Sequence, residues 1–236
     1  MRVHVVKHVP FEGPGMIAQW AEERGFSLTE QLALTEEFPE LAAGDLLVLM
    51  GGPMAADDHV GCPWLVAEKA STAHAAAKGV CILGVCLGAQ IIADALGGEV
   101  RRNPQREIGW FPVAHTAATE RDPVFSAFPR GFVVGHWHGD TFTLPDGIEP
   151  TLSSEACLNQ AFSARDGRVV GLQFHLEWTH EGVADLAKMC ADELAGGGAW
   201  VQSAEEILAV APERIAACRP VLFALLDRIV QAGGAR

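Results

Sequence analysis

Val80–Gly98 reads VCILGVCLGAQIIADALGG. Its opening VCILG is a short continuous apolar run, the pattern of a parallel strand buried on both faces. GAQIIADALGG then reads as a helix that its closing glycines stop. Cys86 therefore sits where a strand becomes a helix, with Gly84 and Gly88 two residues to either side. A nucleophile held on such a sharp turn needs small neighbours, as in the G-x-S-x-G elbow. A helix starting near Leu87 aims its N-terminal dipole and free N–H groups at the sulfur. That favours a thiolate and offers donors to an oxyanion at the same place. Taken alone, the five residues fit a packed core thiol beside two helix-packing glycines equally well.

Outward from this stretch, the first half alternates strand and helix. RVHVV near the N-terminus is a strand, followed by the helical MIAQWAEERG and the buried run DLLVLM, which ends in Gly51-Gly52-Pro53. WLVAEKASTAHAAAKG is a helix closed by Gly79. Such alternation predicts a doubly wound α/β fold, flavodoxin-like, with a mostly parallel sheet and helices on both faces. The second half is strand-like at IGWFPVAH, GFVVGHWH, NQAFSAR and VVGLQFH, with turns at Asp146-Gly147 and Asp166-Gly167. Two helical segments close the chain, EGVADLAKMCADEL and ERIAACRPVLFALLDRIVQA, with Pro220 expected to kink or interrupt the second. AGGGAW between them reads as a flexible joint, with too little chain after it for a second domain. Residues 1–236 are accordingly read as one α/β domain.

With 17 basic against 30 acidic residues, the net charge is −13, which disfavours nucleic acid and anionic membranes as partners. No run approaches the ~20 apolar residues that cross a bilayer. Six scattered cysteines without a C-x-x-C pair fit free thiols in a reducing cytoplasm better than a disulfide framework.

Two further stretches bear on Cys86. GLQFHLEW places His175 at the end of an apolar strand, with Glu177 two residues later on the same side. A nucleophilic thiol needs a base, and the base needs an orienting acceptor, roles that His175 and Glu177 can fill. Singly, they are an ordinary core histidine and a solvated carboxylate. Gly51-Gly52-Pro53 follows a buried strand, where a backbone N–H can face a tetrahedral intermediate, although a lone Gly-Gly-Pro is usually only a turn.

Together, Gly51-Gly52-Pro53, Gly84-Val85-Cys86-Leu87-Gly88-Ala89-Gln90 and Gln173-Phe174-His175-Leu176-Glu177 resemble, in order, the motifs of the class I glutamine amidotransferases. Within that family the chain looks most like stand-alone proteins related to the glutaminase domain of GMP synthetase. The resemblance implies that Cys86 attacks the γ-amide of glutamine to form a thioester and that His175 carries the proton. Glu177 would orient the imidazole, and the N–H groups of Gly52 and Leu87 would form the oxyanion hole. Gln90 would help hold the amino-acid end of the substrate. No cofactor is needed for that half-reaction. The family usually has proline where this chain has Leu176. Proline would fix φ there, and leucine permits the same geometry without enforcing it.

His136, His138 and Asp140 in HWHGDTF have an H-x-H-x-D spacing, but a metal site would want further ligands nearby. An HGD stretch also occurs in the glutaminase domain of GMP synthetase, on a loop beside the active site. By that analogy His138, Gly139 and Asp140 line the substrate pocket, and no metal is assigned; the plainer alternative is a turn in which Asp140 caps its own backbone. The chain carries neither a G-x-x-x-x-G-K-[ST] loop nor an SGG pyrophosphatase loop. Its ammonia would go to a separate synthase chain, or the enzyme would simply hydrolyse a γ-glutamyl small molecule. Two other readings are a cysteine peptidase of the same broad fold, which Glu177 disfavours, and a catalytically silent regulatory module. The apolar run PVLFALLDRIV could cover the sheet or join copies into a homo-oligomer.

Overall fold

Period-two burial organises the first half of the chain. The computed structural model describes residues 1–234. Strands β1 (Arg2–Lys7), β2 (Ser27–Leu32), β3 (Leu46–Leu49), β4 (Cys81–Val85) and β9 (Val169–Leu172) pair in parallel, in the order β2-β1-β3-β4-β9. On β3, Leu46 and Val48 point into one core and Leu47 and Leu49 into the other. The first core receives α1 (Met16–Glu23), α4 (His180–Met189) and α6 (Ala204–Ala232). The second receives α2 (Trp64–Ala77) and α3 (Leu87–Ala95). Helices thus cover both faces, as the continuous apolar strands require.

The strand-like second half extends this sheet by antiparallel pairing. It supplies β5 (Val100–His115), β6 (Phe132–Phe142), β7 (Pro150–Ser153) and β8 (Ala161–Ala164). The complete order is β2-β1-β3-β4-β9-β8-β7-β5-β6. In the sequence, β2 and β7 are the least visible strands. SLTEQL is a largely exposed edge strand, and the four-residue PTLS begins with proline.

Two expectations about the C-terminal region are overturned. Pro220 does not interrupt α6, which runs for 29 residues through Pro212 as well. A capping box between Ser203 and Glu206 starts it, and a buried stripe from Ile207 to Val230 holds it against the sheet. Packing along that stripe outweighs the hydrogen bond each proline removes. AGGGAW is not a free joint either. The N–H of Ile108 donates to Trp200 O at 2.8 Å, and the N–H of Gln202 donates to Ile108 O at 2.9 Å, tying the segment to β5. The preceding helical stretch is broken at Cys190, after which the short α5 (Ala191–Ala195) follows α4.

Chain segments leaving the C-terminal ends of β1, β3, β4 and β9 converge, the usual place for a site in an open α/β sheet.

Candidate active site

Cys86 joins β4 to α3 with φ 53° and ψ −108°, a left-handed conformation that is uncommon for a residue with a side chain. Its N–H donates to Leu172 O at 2.7 Å, and the N–H of Gly88 donates to Met50 O at 3.1 Å. The flanking glycines are dictated by close approach. A methyl group on Gly84 would strike the backbone of Gly88, and one on Gly88 would strike Leu49 O. The turn therefore closes only with hydrogen at both positions, which explains the G-x-C-x-G pattern physically. Cys86 is 8% exposed, with Sγ 3.5 Å from Trp137 O.

His175 follows the end of β9 and is tied to β6 through mutual hydrogen bonds with Gly135, at 2.7 and 3.2 Å. Its ring stacks on Trp178 with centroids 4.6 Å apart. Nδ1 lies 2.6 Å from Glu177 Oε1. Nε2 is buried and has no hydrogen-bond partner among the described residues. Burial pulls the pKa of the ring down. The charge of Glu177, together with the proximity of Cys86, outweighs this and holds it well above the ordinary histidine value.

Leu176, where the resembled motif usually has proline, takes up a different task. Its N–H donates to Glu177 Oε2 at 3.0 Å, and its side chain is 1% exposed. Both oxygens of Glu177 are thereby engaged, one by the ring and one by the backbone. A Leu176→Pro substitution deletes that N–H and part of the buried side chain. It is expected to lower unfolding free energy by about 2–4 kcal/mol in a denaturant titration. An unchanged midpoint would mean that the family proline fits here without loss.

Cys86 and His175 open on a cleft of about 300 Å³. Gly52, Leu87, Gln90, His138, Gly139 and Asp140 line it too, so the residues given a catalytic, oxyanion or substrate role all border the cleft except Glu177, which stands behind the ring; His136 does not line it. Leu87 is the first residue of α3, and its N–H has no intrahelical acceptor. The Gly52 N–H has no acceptor among the described residues. Gln90 is buried and donates to Gln173 Oε1 at 3.1 Å, while Gln173 Nε2 lies 3.8 Å from Cys86 Sγ.

His138, Gly139 and Asp140 lie within strand β6, which continues the strand-like GFVVGHWH stretch and corrects the loop placement taken by analogy. They pair with β5, and that register holds them along the cleft wall. The Asp140 carboxylate neither caps its own turn nor joins the two histidines; its Oδ1 accepts from Arg102 at 3.0 Å, while its backbone O lies 3.0 Å from His138 Nδ1. The group that does converge is Glu107, His136 and His138, whose donor atoms lie within 4.8 Å of one another. Glu107 Oε2 accepts from Gln160 at 2.6 Å, from Ser154 at 3.1 Å and from His138 Nε2 at 3.2 Å. Burial pushes the His136 pKa down to about 4. Protein donors occupy only Oε2, whereas Glu107 Oε1 and His136 Nδ1 are buried without a hydrogen-bond partner among the described residues, so the cluster is a buried polar network that is only partly satisfied.

The motifs did not point to Glu12, Arg102, Arg106 or Glu193, which also line the cleft. Arg106 donates to Glu193 at 3.0 Å. These residues come from a loop, a strand and a short helix far apart in the chain. Only Glu12, in FEGPG after the first strand, lies at a position that topology alone would flag.

The family model for class I glutamine amidotransferases matches residues 16–187. The glutamine amidotransferase-like protein YfeJ of Salmonella typhimurium is 35% identical over 216 residues, covering 89% of this chain and 90% of that protein. The crystal structure of a glutamine amidotransferase from Thermotoga maritima superposes with a TM-score of 0.87 at 31% identity, covering 98% of both chains. One from Methylobacillus flagellatus gives 0.89 at 29% identity, covering 98% of this chain and 94% of that one. GMP synthase of Syntrophomonas wolfei is 37% identical over 103 residues, 43% of this chain but 20% of the synthase.

Proposed function

Because the chain belongs to the class I glutamine amidotransferase family, we propose that it hydrolyses the γ-amide of glutamine, or of a γ-glutamyl compound, through a thioester on Cys86. One observation carries this reading: a cysteine on a strained elbow shares a cleft with a histidine whose far nitrogen is held by a buried carboxylate. His175 takes the thiol proton before the attack, as its raised pKa favours, and the resulting Sγ thiolate adds to the amide carbon. The N–H groups of Gly52 and Leu87 stabilise the oxyanion. The intermediate collapses, the C–N bond breaks, and His175 returns its proton to the leaving nitrogen. Water then attacks the thioester with His175 as base, releasing glutamate and restoring the thiol. Gln90, His138, Gly139 and Asp140 border the cleft where the amino-acid end of the substrate would lie.

The S. wolfei GMP synthase is described as glutamine-hydrolysing, and this chain spans only a fifth of its length. A separate synthase chain is therefore the natural acceptor if the ammonia is used rather than discarded. No described helix is long and apolar enough to cross a membrane, and all six cysteines are free. Both features fit the cytoplasm as the working compartment.

The test is glutamate release from L-glutamine by the purified protein, with acid-quenched samples digested and searched for a γ-glutamyl adduct on the Cys86 peptide. Release together with the adduct supports the reading. Its absence with both glutamine and γ-glutamyl amides would overturn it.

A further inference from the structure

Glu12 is a cleft carboxylate for which the chemistry above has no use and which no arginine pairs. It lies in the loop after β1, whose position is set by the Met16 N–H donating to Glu177 O at 2.8 Å. Its carboxylate lies over Gly51. A methyl group there would overlap Glu12 Oε2 and would sit 3.6 Å from His175 Cε1. A carboxylate is thereby placed at the edge of the ring that must hand a proton to the leaving nitrogen. Among the described residues, no side chain or N–H donates to it. The other acids of the cleft wall are matched, Asp140 by Arg102 and Glu193 by Arg106. Burial, and then Glu177, raise the pKa of Glu12, while the charge on His175 opposes them. This carboxylate has lost water without gaining a protein hydrogen-bond donor, and the charges of His175 and then His8 offset part of that loss.

Glu12 also borders a second cavity of about 170 Å³, shared with Phe11, Met50, Trp178, Thr179 and Leu186. The space beyond His175 is thus acidic at its mouth and has aromatic and aliphatic walls, with room for more than ammonia.

We propose that Glu12 forms a leaving-group subsite for a positively charged amine, so that the preferred substrates are γ-glutamyl amides whose amine portion carries a cation. Ammonium leaving glutamine is the smallest occupant. A short alkyl-amine chain would extend from the scissile nitrogen past Glu12 into the second cavity, its charge resting on the carboxylate. The excess negative charge of the whole chain favours the same class of ligand and opposes an anionic leaving group such as an amino acid.

The inference rests on the hydrolytic reading given above, and its experiment separates the two. Rates kcat/KM are compared for the γ-glutamyl amide of ethylenediamine, which is cationic, and of propylamine, its neutral isostere, with glutamine alongside. A charge-assisted contact predicts about a tenfold preference for the cationic amide. Glu12→Gln keeps the shape and is expected to abolish that preference, whereas a merely structural role would slow both amides together and preserve the ratio. Equal rates in the native protein, or a preference that survives Glu12→Gln, overturn the subsite. If neither amide nor glutamine is cleaved, the hydrolytic reading itself falls and takes the subsite with it.

Discussion

Replacing Cys86 by alanine is expected to lower glutamate release by about 10⁴-fold or more, leaving the residual rate that substrate binding and the oxyanion donors supply, while the protein stays folded. The size follows from what the thiol does. Without it no covalent intermediate forms, and His175 has no proton to take. What remains is a cleft that binds substrate and polarises its carbonyl, which contributes little without a nucleophile. The fold should survive because the side chain reaches into the cleft beside Trp137 O rather than bracing two elements apart. Alanine also tolerates the left-handed turn about as well as cysteine does, so the elbow keeps its strain and its shape. Thermal unfolding of the variant should therefore match the parent within about 1 kcal/mol. Release that persists in a folded Cys86→Ala protein would sink the thioester mechanism and redirect attention to a water activated by His175.

Much of this site is legible in the sequence because its parts lie at the ends of strongly patterned elements. Leu46–Leu49 and Cys81–Val85 are apolar throughout, so both announce buried parallel strands, and Gly84 and Gly88 mark where backbone must pass backbone. His175 and Glu177 sit two residues apart just beyond a third such strand, and their 2.6 Å contact is local. What the sequence hides depends on long-range register. His138 to Asp140 line the cleft only because β6 pairs with β5 across a register shift between Arg102 and Glu107. No local pattern encodes that irregularity, so the sequence shows a strand as far as His138 but not that it lines the cleft. The contact between Arg106 and Glu193 joins a strand to a five-residue helix 87 positions away. Pro220 misleads for a related reason: its local penalty is real, and a buried stripe running the length of the helix exceeds it. Local chemistry is readable where neighbours in sequence are neighbours in space.

Glu177→Gln should cost about 10³–10⁴-fold in turnover, and the backbone beside it explains why so conservative a change is severe. A glutamine in this place has one oxygen and one NH₂ to distribute between two partners. The Leu176 N–H, 3.0 Å from the present Oε2, demands an acceptor and so claims the oxygen. The NH₂ is then left facing His175 Nδ1, which must accept rather than donate. The ring proton moves to Nε2, the nitrogen that has to receive the thiol proton, and the base is disabled by tautomer. Stability should report the same event through pH. Burial disfavours the charged ring, but Glu177 and the proximity of Cys86 raise the folded-state pKa above the ordinary value of about 6.5. Stabilisation from a raised histidine pKa is complete below the unfolded value and is lost as pH climbs through the folded one. The difference in unfolding free energy between parent and Glu177→Gln should therefore be largest near about pH 6 and shrink on the alkaline side. Denaturant titrations across that range give the answer directly. A difference that stays flat with pH would mean that Glu177 fixes the ring by geometry alone and does not stabilise its charge.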